Sequence, residues 1–178
     1  MLRPAIGILA ALSLAGPAGA ALPVGAKAPD FTAAASLGGK EFTFSLADAL
    51  KQGPVVLYFY PAAFTPGCTI EAHNFADAMD DFAKLGATVI GVSHDSIQTL
   101  DKFSLTECRS KFPVAADTSG QIMRSYDGVY RGDPEYADRV SYVIAPDGHV
   151  LFNYTSGDPT HHVEYTMNAV KDYVTAHK

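Results

Sequence analysis

The sequence predicts an α/β sandwich with a mixed central sheet flanked by helices, and three observations carry that prediction. Apolar, β-rich runs recur along the chain, a stretch of helical periodicity separates two of them, and the last two are joined by a tight turn and followed by a helix. Taken in order, "KEFTFSLADAL" at 40–50 reads as a short strand leading into a helical segment. "PVVLYFY" at 54–60 is apolar throughout, the pattern of a strand covered on both faces, and Gly53-Pro54 marks its start. It is expected at the centre of the sheet. After Cys68, residues Ile70, Phe75, Ala78, Met79, Phe82 and Leu85 fall at helical spacing, with Gly86 where a C-terminal cap belongs. "ATVIGVS" at 87–93 is the next strand, so strand, helix and strand form a βαβ unit. Further helices are expected at 96 to about 108, at 121–126 and from about 160 to 176. "RVSYVIA" at 139–145 and "VLFNYT" at 150–155, separated by Pro146-Asp147-Gly148, form a hairpin. No Ser/Gly/Pro-rich linker interrupts residues 21–178, which read as one domain.

Composition narrows the function classes. Lys and Arg number 13 against 19 Asp and Glu, for a net charge of −6 without any basic stripe, so a nucleic acid is not an expected partner. With 48% apolar and 18% charged residues and no repeat, neither a disordered chain nor a solenoid is indicated. The opening stretch "MLRPAIGILAALSLAGPAGA" has Arg3, an apolar run at 5–15 and Ala18-Gly19-Ala20, the pattern of a secretory signal peptide cut after Ala20. The run is shorter than the roughly 20 residues a bilayer-spanning helix needs, and Gly16-Pro17 ends it. The expectation is export to the periplasm or the extracellular space, with no stable membrane association after cleavage.

Cys68 and Cys108 are the two cysteines of the chain, and in an exported protein they are compatible with a structural disulfide as well as with redox chemistry. Cys68 falls in the first turn of the helix after the central strand, reached through Thr65-Pro66-Gly67. A helix N-terminus presents unpaired N–H groups and the positive end of the dipole, which favour a thiolate. In open α/β sheets, ligands also bind at the carboxyl ends of the strands. A buried, inert thiol is the competing reading, and position alone leaves the two open.

"PAAFTPGCT" at 61–69 resembles the P-x-x-x-T-x-x-C active-site motif of the peroxiredoxins, and its T-P-G-C-T form is similar to the bacterioferritin-comigratory, or Q-type, branch. The resemblance continues through "GAKAPDFT", "VVLYFYP", "GATVIGVSHDS" and "RVSYVIAPDGHVLF". It implies a thioredoxin-like fold and reduction of hydrogen peroxide or organic hydroperoxides without a metal or an organic cofactor. It further implies that Cys68 is the peroxidatic thiol, that Thr65 donates its hydroxyl to position thiolate and peroxide, and that Pro61 shields the site from water. Arg139 occupies the family's arginine position and Glu71 would hydrogen-bond it. Fixed donors aimed at the leaving oxygen lower the barrier to O–O cleavage, which is why such a set belongs beside the sulfur. Many Q-type relatives carry a resolving cysteine five residues after the first, where this chain has His73. Other members place one in the region of Cys108, so the resemblance implies a sulfenic acid on Cys68 that condenses with Cys108 into an intramolecular disulfide. A disulfide needs its Cα atoms within about 7 Å, so local unfolding is expected to accompany the step. One-cysteine behaviour, with Cys108 a bystander, stays open. The reductant would be thioredoxin-like or another thiol, and a monomer is expected with a dimer as the alternative.

The six histidines include the adjacent His161 and His162, but no H-x-x-x-H or C-x-x-C accompanies them, so a metal site is set aside. His73 receives no task. Tyr58 and Tyr60 read as packing, and Phe64 as a residue of the peroxide entrance or of an interface. A disulfide oxidoreductase would need C-x-x-C, whereas Thr69-Ile70-Glu71 follows Cys68. From another class, a non-catalytic exported domain with one permanent disulfide remains the rival.

Overall fold

The computed structural model describes residues 21–177, so the signal-peptide expectation for 1–20 lies outside the described residues. Along them run β1 (Thr32–Leu37), β2 (Lys40–Ser45), α1 (Leu46–Leu50), β3 (Val55–Phe59), α2 (Pro66–Lys84), β4 (Thr88–Ser93) and α3 (Ile97–Thr106). They continue with β5 (Val114–Ala116), α4 (Gln121–Ser125), β6 (Val140–Ile144), β7 (Val150–Thr155) and α5 (His162–Ala176). The strands form one sheet in the order β2-β1-β5-β4-β3-β6-β7. β3 lies parallel to β4 and antiparallel to β6, which places the all-apolar run inside the sheet as expected.

The two-residue period of β3 sorts its side chains between two cores. Val55, Leu57 and Phe59 point into one with Ile90, Val92, Tyr142 and Ile144. Val56, Tyr58 and Tyr60 point into the other, beneath Phe75 and Phe82 of α2, Phe103 of α3 and Val170 of α5. Each large side chain so buried contributes about 1.5–3 kcal/mol, and the sheet is the layer the two cores share.

Helix α2 ends as its sequence requires. Gly86 adopts φ 70°, a left-handed conformation costly for other residues, and lets its N–H reach the carbonyl of Ala83 at 3.0 Å while that of Ala87 reaches Phe82 at 3.0 Å. Helix α5 starts at His162 rather than near 160, because Asp158 accepts from the N–H of Thr160 at 2.9 Å and holds a turn there instead. Helix α3 stops at Thr106, two residues before Cys108. Strands β1 and β5 carry no sequence expectation: "TAAASL" lacks the β-branched alternation of a strand, and β5 has 3 residues.

Candidate active site

The chain leaves β3 into a loop that is tied down before it reaches α2. The N–H of Ala63 donates to Asp95 Oδ2 at 2.8 Å, and the same oxygen accepts from Ser93 Oγ at 2.8 Å at the end of β4. Phe64 then takes φ 63°, a conformation strained for a bulky residue, and its ring, 48% exposed, meets Phe103 edge-on at 5.2 Å. Thr65 is the N-cap of α2, yet its side chain takes none of the helix's free N–H groups; its hydroxyl donates to the carbonyl of Ala62 at 2.9 Å. Pro66 begins the helix with its fixed φ.

Cys68 lies in that first turn, 1% exposed. Arg139, immediately before β6, reaches across the sheet end: Nη2 donates to Cys68 Sγ at 3.5 Å, Nη1 donates to Glu71 Oε2, and Nε donates to the carbonyl of Gly157 at 3.2 Å. Glu71 is one turn beyond Cys68 on the same helix and fully buried. Burial pushes its carboxyl up to about 8, against the downward pull of Arg139. Burial disfavours the charge of Arg139 as well, but Glu71 and the Cys68 sulfur outweigh it and hold the guanidinium above its ordinary value. Gly67 makes the approach possible, since a Cβ there would stand 2.9 Å from Nη2 of Arg139. The missing side chain of the motif glycine leaves room for the arginine.

A cavity of about 480 Å³ opens beside this group, lined by Pro61, Thr65 and Arg139 together with the half-exposed rings of Tyr130 and Tyr136. The structure therefore gathers Pro61, Thr65, Cys68, Glu71 and Arg139 at one place. His162, which the sequence gave no reason to single out from its neighbour His161, joins them: its Nδ1 lies 3.6 Å from Glu71 Oε1.

Cys108 lies apart from the cavity lining, fully buried just past α3, in the same apolar cluster as Cys68. Burial first, and the charge of Glu107 second, push its thiol well above the usual range, which disfavours the nucleophilic thiolate where it stands. No disulfide joins the two sulfurs. Tyr58 and Tyr60 lie within electrostatic reach of both sulfurs. The N–H groups of Glu107 and Cys108 both donate to the carbonyl of Phe103, at 2.9 and 3.0 Å, and Phe103 is the residue that Phe64 touches. A hydrogen bond and two ion pairs fasten the segment to one face of α2: His73 to Glu107 at 2.9 Å, then Asp77 to Arg109 at 2.5 Å and Asp80 to Lys111 at 3.8 Å. His73 thus has a partner the sequence did not suggest. Arg109 and Ser110, directly after Cys108, take φ 51° and 55°, a strained pair.

Residues 24–152 match the AhpC/TSA family. The chain is 37% identical over 134 residues to a Mycobacterium tuberculosis protein that carries a peroxiredoxin name, a match covering 74% of this chain and 81% of the relative. It is 29% identical over 132 residues to peroxiredoxin Bcp of Escherichia coli, covering 67% and 79%. The crystal structure of peroxidoxin BcpB from Mycobacterium tuberculosis superposes with a TM-score of 0.75 at 31% identity, covering 84% of this chain and 96% of that one. The likeness gives the sheet and its helices the thioredoxin-like fold.

Proposed function

The chain belongs to the AhpC/TSA family and is a thiol-dependent peroxidase, and on that premise we propose that Cys68 attacks the peroxide and that Cys108 resolves the product. Peroxiredoxins take peroxide substrates and thiol reductants such as thioredoxin. In the proposed step the Cys68 thiolate attacks one oxygen of R–O–O–H and the O–O bond breaks. R–O⁻ leaves with the bonding electrons and takes up a proton, and sulfur, oxidised by two electrons, becomes a sulfenic acid.

The observation that carries this reading is the placement of Arg139, one amino group on Cys68 Sγ at 3.5 Å and the other on Glu71. A fixed cation there stabilises negative charge on sulfur and on the departing oxygen. Glu71 keeps the guanidinium in place, and Pro61 at the cavity wall keeps water from the sulfur. The hydroxyl proton of Thr65 is committed to Ala62, so its oxygen serves the peroxide as an acceptor. The sulfenic acid then condenses with the Cys108 thiol, forming the disulfide and releasing water, once the segment around Cys108 lets go of Phe103 and α2. Two thiols from a reductant restore both cysteines.

The test is thiol loss in the reduced chain after substoichiometric hydrogen peroxide, followed in time with products mapped by mass. Loss within seconds at Cys68 and a Cys68–Cys108 product are expected; survival of both thiols for many minutes would sink the assignment. The complete burial of Cys108 favours a second reading, a one-cysteine cycle in which an outside thiol reduces the sulfenic acid directly. Unchanged turnover of Cys108→Ser with a small-protein reductant would select it. The composition of residues 1–20 supports export, with cleavage after Ala20 and residues 21–178 as the exported form, while the monomer rests on the resemblance to the Q-type branch alone. The N-terminal mass of the secreted product and its sedimentation check both.

A further inference from the structure

Glu71 uses only one of its carboxyl oxygens on Arg139. Oε2 accepts from Nη1, while the buried Oε1 has no hydrogen-bond partner and faces Nδ1 of His162 at 3.6 Å. A buried carboxylate oxygen without a donor costs about 1–3 kcal/mol or more, so a proton on the Glu71 and His162 pair is favoured over the bare carboxylate. His162 is itself fully buried in the first turn of α5. Its Nε2 lies 3.1 Å from the carbonyl of Ser156, which only accepts, so Nε2 carries a hydrogen. Nδ1 then carries no hydrogen in the neutral ring and is an acceptor, with the Ser141 hydroxyl at 2.8 Å on one side and Glu71 Oε1 on the other, so it can take a proton offered from either. Charge balance points the same way. With Cys68 ionised, a carboxylate on Glu71 and the Arg139 cation would leave one uncompensated negative charge in a buried cluster, and a single proton on the Glu71 and His162 pair removes it.

We propose that His162 is a positioning residue of the peroxidatic centre: it shares one proton with Glu71, and through Glu71 it decides how much of the Arg139 charge is left for the Cys68 sulfur. The inference rests on Cys68 being the attacking thiol. Other ionisable groups face the pair from every side: Arg139 ahead of β6, Cys68 on α2, Tyr58 on β3, and Asp158 and His161 in the turn before α5. The ring of Tyr154 on β7 covers the imidazole at 4.8 Å. Burial pushes Glu71 up to about 8 and His162 down to about 4, so the proton belongs mainly to Glu71 and the pair gives it up on the alkaline side. While the proton stays, the guanidinium serves the sulfur; once it leaves, the carboxylate competes for that charge.

The experiment is the rate of sulfenic acid formation by hydrogen peroxide in the reduced full chain, from about pH 5 to about pH 10, for wild type, His162→Gln and His162→Asn. The wild-type rate falls through an alkaline limb as the Glu71 and His162 pair gives up its proton. A glutamine amide donates to Oε1 but takes up no proton, so it stabilises the carboxylate. The limb of H162Q therefore moves down by about one pH unit, so the rate falls about twofold at pH 7 and about tenfold on the alkaline side of both limbs, less than the hundredfold that a 1 Å misplacement can cost. His162→Asn gives the same direction should the glutamine variant not fold. A wild-type profile without an alkaline limb, or one that coincides with that of the variants, overturns the role of His162. A wild-type thiol that does not react with peroxide overturns the reading of Cys68 itself.

Discussion

A methyl group on Gly67 would stand 2.9 Å from Nη2 of Arg139, so Gly67→Ala is expected to push the guanidinium off the Cys68 sulfur. Alanine is also the better helix former, by about 1 kcal/mol, and the position is helical. The expected outcome is thus a split: melting temperature unchanged or raised, and a peroxide reaction slowed by up to about hundredfold, read by rapid mixing. Glu71 offers a second test through pH. Its folded value, about 8, lies above the ordinary 4.5, so the folded chain holds the proton more tightly than the unfolded chain does. Stability from this group is complete below pH 4.5 and is lost as pH rises through about 8. Glu71→Gln removes that titration, so melting curves of the variant should gain on wild type between those values, by a few kcal/mol at most on an order-of-magnitude scale. A constant difference across the range would show that Glu71 is ionised throughout. The sequence led to Cys68 through local signals, an apolar strand, a Thr-Pro-Gly turn and a helical period. Arg139 came from family resemblance alone, because its partners are 68 and 71 residues away. His162 had no local signal, since nothing in the two adjacent histidines says which one faces inward.

Among the elements, the seam between α2 and the segment after α3 sets how readily Cys108 emerges. His73, Asp77 and Asp80 are spaced to share one face of α2, and each meets a charge from residues 107–111. Such partly exposed pairs are worth at most about 1 kcal/mol each, enough to matter for a local opening though not for the fold. Asp77→Ala is therefore expected to speed native-state labelling of Cys108 by a small alkylating reagent up to about fivefold, with global melting nearly unchanged. Equal labelling rates would mean that the segment opens only with the whole domain. This seam was not legible beforehand, because a hydrogen bond over 34 residues leaves no mark on either partner's neighbours. Helices with long apolar periods were legible to within two residues; β1 and β5, which owe their conformation to pairing with neighbours rather than to side-chain preference, were not.

Across the whole molecule, one sheet separates two cores and no boundary divides it, so loss of either core should unfold both. Leu57→Ala, a deletion at a fully buried site on β3, is expected to cost about 2–5 kcal/mol. Tyrosine fluorescence and far-ultraviolet circular dichroism should report it as a single transition on denaturant; separate midpoints would show two independent units. The concealment of both sulfurs has a further consequence, in time rather than in energy. In the proposed cycle the oxidation of Cys68 needs only a peroxide, whereas its sulfenic acid meets Cys108 only in the interval when the segment around Cys108 has loosened. The first event follows the oxidant's concentration and the second follows the chain's own breathing, so cooling should slow recovery more than capture. A culture chilled after an oxidant pulse would then hold a record of that pulse in the fraction of molecules still waiting to be recharged.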